Sequence, residues 1–138
     1  MPDDQFIDTN IIVRPIAAGS ADHGARAQRF LRHLARGTEA VELLEAILVE
    51  AVNVLSSPAV YGLPRGTIRD YLSNVIAFPG VQIPHKASCI RALELWAASR
   101  LDFPDALLIA HMERTGASTV VSFDRDFDRI PGITRREP

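Results

Sequence analysis

Short apolar runs alternate with helix-length segments along this chain, and acids stand where the runs end. Gln5-Phe6-Ile7 reads as a buried strand closing on Asp8, and the β-branched Thr119-Val120-Val121-Ser122 leads into Asp124. Pro79-Gly80 turns the chain into a third strand, Val81-Gln82-Ile83, which Pro84 closes. Strands alternating with helices predict an α/β domain of three layers, with a parallel sheet between helices. In such a sheet the functional crevice lies beyond the carboxyl ends of the strands. Asp8 and Asp124, each just past a strand, are expected to point into it.

The helices follow from spacing and punctuation. Thr9 or Asn10 can cap a first helix that Pro15 and Gly19 end. Ala27, Phe30, Leu31 and Leu34 recur at i, i+3, i+4, i+7, with Arg29, Arg32 and Arg36 as an outer stripe and Gly37 as the stop. From Leu43 to Leu55 only Glu45, Glu50 and Asn53 interrupt an apolar helix. Glu50 and Asn53 share a face, and either that face meets solvent or Glu50 needs a partner or a metal. Further helices are expected over Thr67 to Ala77, through Ile90, Leu93 and Ala97 to a stop near Leu101, and from Asp105 to Thr115 before Gly116. Pro104 suits the start of the last one.

Composition narrows the class. The 138 residues fit one domain, 1–138, long enough for a sizeable core, and 47% hydrophobic against 23% charged residues argues against disorder. Lys plus Arg total 15 against 17 Asp plus Glu, which is not the charge of a tight DNA binder. Cys89 is alone, so it forms no internal disulfide and reads as a small core residue. The acidic start Met1-Pro2-Asp3-Asp4 does not resemble a signal peptide, and no apolar stretch approaches the roughly 20 residues of a membrane helix. A cytoplasmic protein with no membrane partner is expected.

Four acids therefore become candidates: Asp8, Glu50, Asp105 and Asp124. Singly, each has an ordinary role. Asp8 can be an N-cap, Asp105 can favour a helix dipole, and Asp124 with Asp126 and Asp128 can be turn acids. Together they stand at separate junctions that converge on one edge of one sheet. Carboxylates sharing a pocket repel, and a divalent cation relieves that repulsion. A cluster without His or Cys favours Mg²⁺ or Mn²⁺ over zinc. Metal-assisted hydrolysis is the chemistry this pattern suits.

Other chemistries lack their residues. Asp124, Asp126 and Asp128 imitate a calcium loop, but Arg129 fills the obligatory Gly position and Arg135 the closing Glu. His23, His33, His85 and His111 have no metal spacing, and no nucleophile elbow, phosphate loop or dinucleotide turn is present. Asp8-Thr9-Asn10 lacks the second Asp of an aspartate-nucleophile phosphatase. Lys86, the single Lys, precedes rather than follows a late strand, which argues against a receiver domain.

The set Phe6-Ile7-Asp8-Thr9-Asn10, Leu48 to Leu55 around Glu50, Asp102-Phe103-Pro104-Asp105-Ala106-Leu107-Leu108 and Ser122-Phe123-Asp124-Arg125-Asp126-Phe127 resembles a PIN-domain ribonuclease. It is most similar to the VapC-like toxins of bacterial toxin–antitoxin pairs. The resemblance covers nearly the whole chain, and its order and spacing are specific as a set. It implies a central, mostly parallel five-stranded sheet, Mg²⁺ dependence, endonucleolytic RNA cleavage, homodimers and inhibition by a small antitoxin. It also implies that the four acids form the pocket, with Asp8 and Asp105 as direct metal ligands and Glu50 and Asp124 binding directly or through water. Thr9, Asn10, Ser122 and Asp126 would support them, Ser122 standing where the family often has Thr. Arg14, Arg125 or Arg129 could hold flanking phosphates.

The helix of Ala27 to Leu34 and that of Thr67 to Ala77 would form a groove for the antitoxin, whose basic side chain could replace the metal. The alternative is a catalytically weak PIN-like module that acts mainly by binding a protein or RNA partner.

Overall fold

The computed structural model describes residues 4–16 and 21–138. Gly19 and the Met1-Pro2-Asp3 start lie outside them. The order is α1 (Thr9–Val13) with a 3-10 turn (Arg14–Ile16), α2 (Ala21–Arg36), β1 (Val41–Glu42), α3 (Glu45–Ser56), α4 (Arg65–Ala77), β2 (Val81–Gln82), α5 (Lys86–Ala97), α6 (Phe103–Thr115) and β3 (Thr119–Val121). A second 3-10 turn (Arg125–Arg129) then leads to β4 (Thr134–Arg136). The α/β alternation holds, with helices far outweighing strands.

The five-stranded sheet is not formed as one piece. Phe6 bridges to Glu42 of β1, and β1 pairs in parallel with β2 through Val41–Val81 and Glu42–Gln82. β3 pairs in parallel with β4 through Thr119–Thr134, Val120–Arg135 and Val121–Arg136. All five extended segments pair in parallel, but among the described residues no backbone hydrogen bond joins the two ladders. The physical reason is visible in β3, which buries only Val120 between exposed Thr119 and Val121. A central strand of a parallel sheet is apolar on both faces.

Most helices sit where their periodicity puts them, with shifted ends. α4 starts right after Pro64, and α6 starts at Phe103 because Asp102 caps it, accepting the Asp105 N–H at 2.9 Å. α5 stops at Ala97 rather than near Leu101. There Arg65 intervenes: its Nη1 donates to the carbonyls of Trp96, Ser99 and Leu101 at 2.9, 3.1 and 2.6 Å, and its guanidinium lies 4.6 Å from the Trp96 ring centre. Those carbonyls are drawn to one cation, and the chain leaves the helix to reach it.

The main core runs from Ile7, Ile12 and Val13 through α2 to α6, with Leu34, Leu55, Ile68, Ile76 and Leu93 at 0% exposure. Each such side chain contributes roughly 1.5–3 kcal/mol relative to an exposed one. Tyr71 ties α4 to α1 by donating to the Ile12 carbonyl. Ala27, Leu31 and Leu34, expected to line a groove, are core instead, and of that set only Phe30 stays half-buried. The arginine stripe Arg29, Arg32 and Arg36 faces solvent. Cys89 is fully buried, and burial with the nearby Glu45 charge pushes its thiol up to about 11. A smaller cluster, Leu101, Ile109, Met112, Val120 and Phe127, supports the carboxyl-terminal ladder.

Gly80 fixes how β2 meets the end of α2. Its N–H donates to the Leu34 carbonyl at 2.9 Å and its carbonyl accepts the Val41 N–H at 2.8 Å. A Cβ here would stand 2.1 Å from the Glu39 carbonyl oxygen and 2.9 Å from Leu34 Cα, both backbone. Gly80→Ala should therefore lower the unfolding free energy by roughly 1–3 kcal/mol in urea denaturation, as overpacking does. A midpoint equal to wild type would show that this close approach is not required.

Candidate functional site

Asp8 occupies the N-cap position of α1 in extended conformation, yet its side chain makes no capping hydrogen bond and is exposed. Its position is that of a cap, but its carboxylate does not act as one. The expectation that Thr9 or Asn10 caps this helix is corrected, because the helix begins at Thr9. Thr9 is buried, and its hydroxyl donates across to Glu50 Oε2 at 2.8 Å. A buried hydroxyl needs a partner, and the carboxylate supplies a strong acceptor.

Glu50 itself is exposed, as is Asn53 one turn later, so that face of α3 meets solvent rather than being buried. Its neighbours Leu48, Ala51, Val52 and Leu55 fill the core and hold the helix in place. Glu50 is therefore anchored on one oxygen beside the first turn of α1, the turn that Asp8 precedes.

The second grouping surrounds Asp105. Its carboxyl is raised from 3.8 to about 6, first by burial, then by the negative charges of Asp102 and Asp124, with a hydrogen bond to Asp102 and the charge of Asp126 adding to it. Asp124 comes close enough for this because Ser122 Oγ accepts its N–H at 2.9 Å, while Asp124 Oδ1 accepts the Asp126 N–H at 2.9 Å and caps the 3-10 turn. Asp124 thus has the turn role as well as proximity to Asp105. Asp128 is drawn away, paired with Arg135 at 2.9 Å.

The expected site residues accordingly fall into two sets. Thr9 joins α1 to Glu50, and charge couples Asp105 to Asp124 and Asp126. Asn10 is exposed and lines a cleft with Ile11 and Arg14 on the α2 side. Asp102 is not among the expected site residues, although Asp-x-Pro-Asp is a recognisable helix start. Its role as a cap beside Asp105 was legible there. The Glu45–His111 pair (3.2 Å), with His85 edge-on to His111, had no sequence signal at all.

The donor set bears on a metal. Among the described residues no three of His, Cys, Asp or Glu are gathered closely enough to hold an ion by themselves. Mg²⁺ does not require that, since it keeps several waters and binds through one or two carboxylates plus substrate phosphates. The donors are hard oxygens, and crowding keeps Asp105 reluctant to ionise without a cation. The donor types suit such an ion.

The chain matches the PIN domain over residues 6–133. It is also similar to Ribonuclease VapC48 from two strains of Mycobacterium tuberculosis, with 26% identity over 144 residues. Each alignment covers 97% of this chain and 97% of the relative.

The raised Asp105 carboxyl has a stability consequence. Its folded pKa lies above its unfolded one, so between about 4 and about 6 the folded state binds more protons than the unfolded state. Stability from this group is then full below pH 4 and falls as pH rises to 6. The stability of Asp105→Asn relative to wild type, both metal-free, should increase across that window in melting experiments. A difference that stays flat from pH 4 to 7 would contradict the crowding around Asp105.

Proposed function

The chain belongs to the PIN-domain family, and from that membership and the crowded carboxylates we propose that it is a Mg²⁺-dependent endoribonuclease, the toxin of a toxin–antitoxin pair. The observation that carries the reading is Asp105, whose carboxyl is raised by burial and by Asp102 and Asp124. An acid perturbed by burial and by specific charged neighbours is a functional-site candidate, and a cleft lined by Asp102 opens next to it.

In this reading Asp8 and Asp105 hold Mg²⁺, or Mn²⁺ in its place, with Glu50 and Asp124 contributing directly or through water. When bound, the ion offsets charge on the phosphate and lowers the pKa of water. Thr9 fixes one oxygen of Glu50, and the other is our candidate to accept the proton of the attacking water. The water oxygen forms the new bond to phosphorus, and the bond to the leaving ribose oxygen breaks. Asp126 and Ser122 keep Asp124 in place through the turn. Arg125 and Arg129 on that turn are exposed and enter no ion pair among the described residues, which suits them to flanking phosphates.

A cleft of about 540 Å³ between α1 and α2, with Asn10, Arg14, Arg26 and the half-buried Phe30 in its walls, is the seat we propose for an antitoxin segment. It replaces the groove expected from Leu31 and Leu34. Exposed Leu44, next to Glu45, and exposed Leu108, one turn before His111, are the apolar surface we propose for a homodimer. No helix among the described residues is long and apolar enough to cross a membrane.

With millimolar Mg²⁺ or Mn²⁺, wild type should cleave a structured RNA, and Asp8→Asn and Asp105→Asn should each lose roughly 100-fold or more of the rate while remaining folded. Wild-type rates in either variant would remove the metal-ligand assignment. Expression alone should arrest growth, and a small neighbouring open reading frame should rescue it. Unaffected growth at confirmed expression, equal to Asp8→Asn, would leave the binding module as the better reading.

A further inference from the structure

A second cleft, of about 460 Å³, opens directly beside the acids. Its accessible apolar lining is half-buried Leu63 and exposed Pro64, backed by Val52, Trp96 and Phe103, which are each at most 3% exposed. Its rim is polar, with exposed Asn53 from α3 and exposed Asp102 from the head of α6. Asn53 lies three residues beyond Glu50 on the same helix face. Asp102 carries the Asp105 N–H on its Oδ1. The cleft and the carboxylate site thus share α3 and the start of α6.

We propose that this cleft receives the base of a nucleotide flanking the scissile phosphate, with Asn53 and Asp102 reading its edge. The proposal rests on the nuclease reading above and gives it a specificity. A base splayed out of a single strand presents an apolar face and a hydrogen-bonding edge, which is how sequence is read in RNA. The cleft offers an apolar wall, Leu63 and Pro64, for the face and a polar rim for the edge, and its volume is in the range of small-ligand sites. A second phosphate does not fit, because Asp102 would repel it. Arg65, also in the wall, has its Nη1 bound to three carbonyls and its face on Trp96, so it serves as structure rather than as an anion ligand.

The donor and acceptor types set the preference. Asp102 as a carboxylate only accepts, and its oxygens have lone pairs beyond the one holding the Asp105 N–H. Asn53 both donates and accepts, and its side chain has no intramolecular hydrogen bond among the described residues. Together they favour bases bearing an exocyclic amino group over uracil, which has none.

Trp96 is the only Trp in the chain, so its fluorescence reports on the cleft without requiring catalysis. AMP, CMP, GMP and UMP are titrated separately into wild type, Asp8→Asn, Asn53→Ala and Asp102→Asn. Saturable changes are expected in wild type and Asp8→Asn, with UMP weaker than the amino-bearing nucleotides by about tenfold. Asn53→Ala should shrink that difference below about threefold without altering the melting temperature. Asp102→Asn keeps a competent helix cap and should shift preference towards UMP.

In parallel, wild type and Asn53→Ala cleave RNAs that differ only at the nucleotide flanking the cut, and the ratio of kcat/KM between them should narrow in the variant. No saturable change with any nucleotide, or an unaltered preference in Asn53→Ala, overturns the proposal even if RNA is cleaved. An equal loss on all RNAs in Asn53→Ala would make it a support for Glu50 and overturn the reading of bases. Binding as expected with no cleavage by wild type would overturn the nuclease reading and leave the base site standing.

Discussion

Three carbonyls at the end of α5 converge on one nitrogen of Arg65, and much of the functional side of the molecule hangs from that meeting. A guanidinium nitrogen has two hydrogens, so three acceptors must share them. The Ser99 and Leu101 carbonyls, beyond the helix end, gain a partner there, and the Trp96 carbonyl accepts from Arg65 as well as from the Ser99 N–H. The cation also lies on Trp96, which sits edge-on to Phe103 with ring centres 6.1 Å apart. Phe103 is the first residue of α6, preceded by its cap Asp102 and followed two residues later by Asp105. A residue at the head of α4 thus packs, through Trp96, against the first turn of the helix that carries the raised carboxyl. Lys could carry the charge but not the planar stack or the fork of donors.

Around Asp105 the fold holds like charges near one another, which on its own destabilises the ionised state. Each member is fixed by a contact that has nothing to do with a ligand. Asp102 is held by its helix cap, and Asp124 by the turn between Ser122 and Asp126. Local rules of capping and turn formation therefore do the assembling. Repulsion among the acids is left unrelieved by any Lys or Arg pairing at Asp105, Asp124 or Asp126 among the described residues.

The parts of this arrangement that were legible in the sequence are those written in local patterns. α2, α3, α4 and α6 announce themselves through apolar spacing and through Pro64, Gly37 and Gly116, because long periodic segments outvote single residues. β1 and β4 do not. Val41–Glu42 is two residues long, and Thr134-Arg135-Arg136 has no apolar side chain. The stop of α5 was invisible because its cause lies 31 residues earlier in the chain, at Arg65. For the candidate site, the acids stood out by their junctions, but the Thr9–Glu50 link spans 41 residues and needs a fold to exist. Whether the Asp8 carboxylate caps its helix could not be read from residue type, since Asp suits both roles.

The division of the interior into a large cluster and a small one sets an order of opening. Among the described residues β3 and β4 pair only with each other, and they rest on five buried side chains, Leu101, Ile109, Met112, Val120 and Phe127. A unit so lightly packed can separate while the larger interior stays closed, since local opening needs less free energy than global unfolding. Asp124 departs with it, whereas Asp105 stays on α6 with the main body. The molecule can thereby lose a member of its acidic set and recover it without unfolding, on the timescale of a local fluctuation.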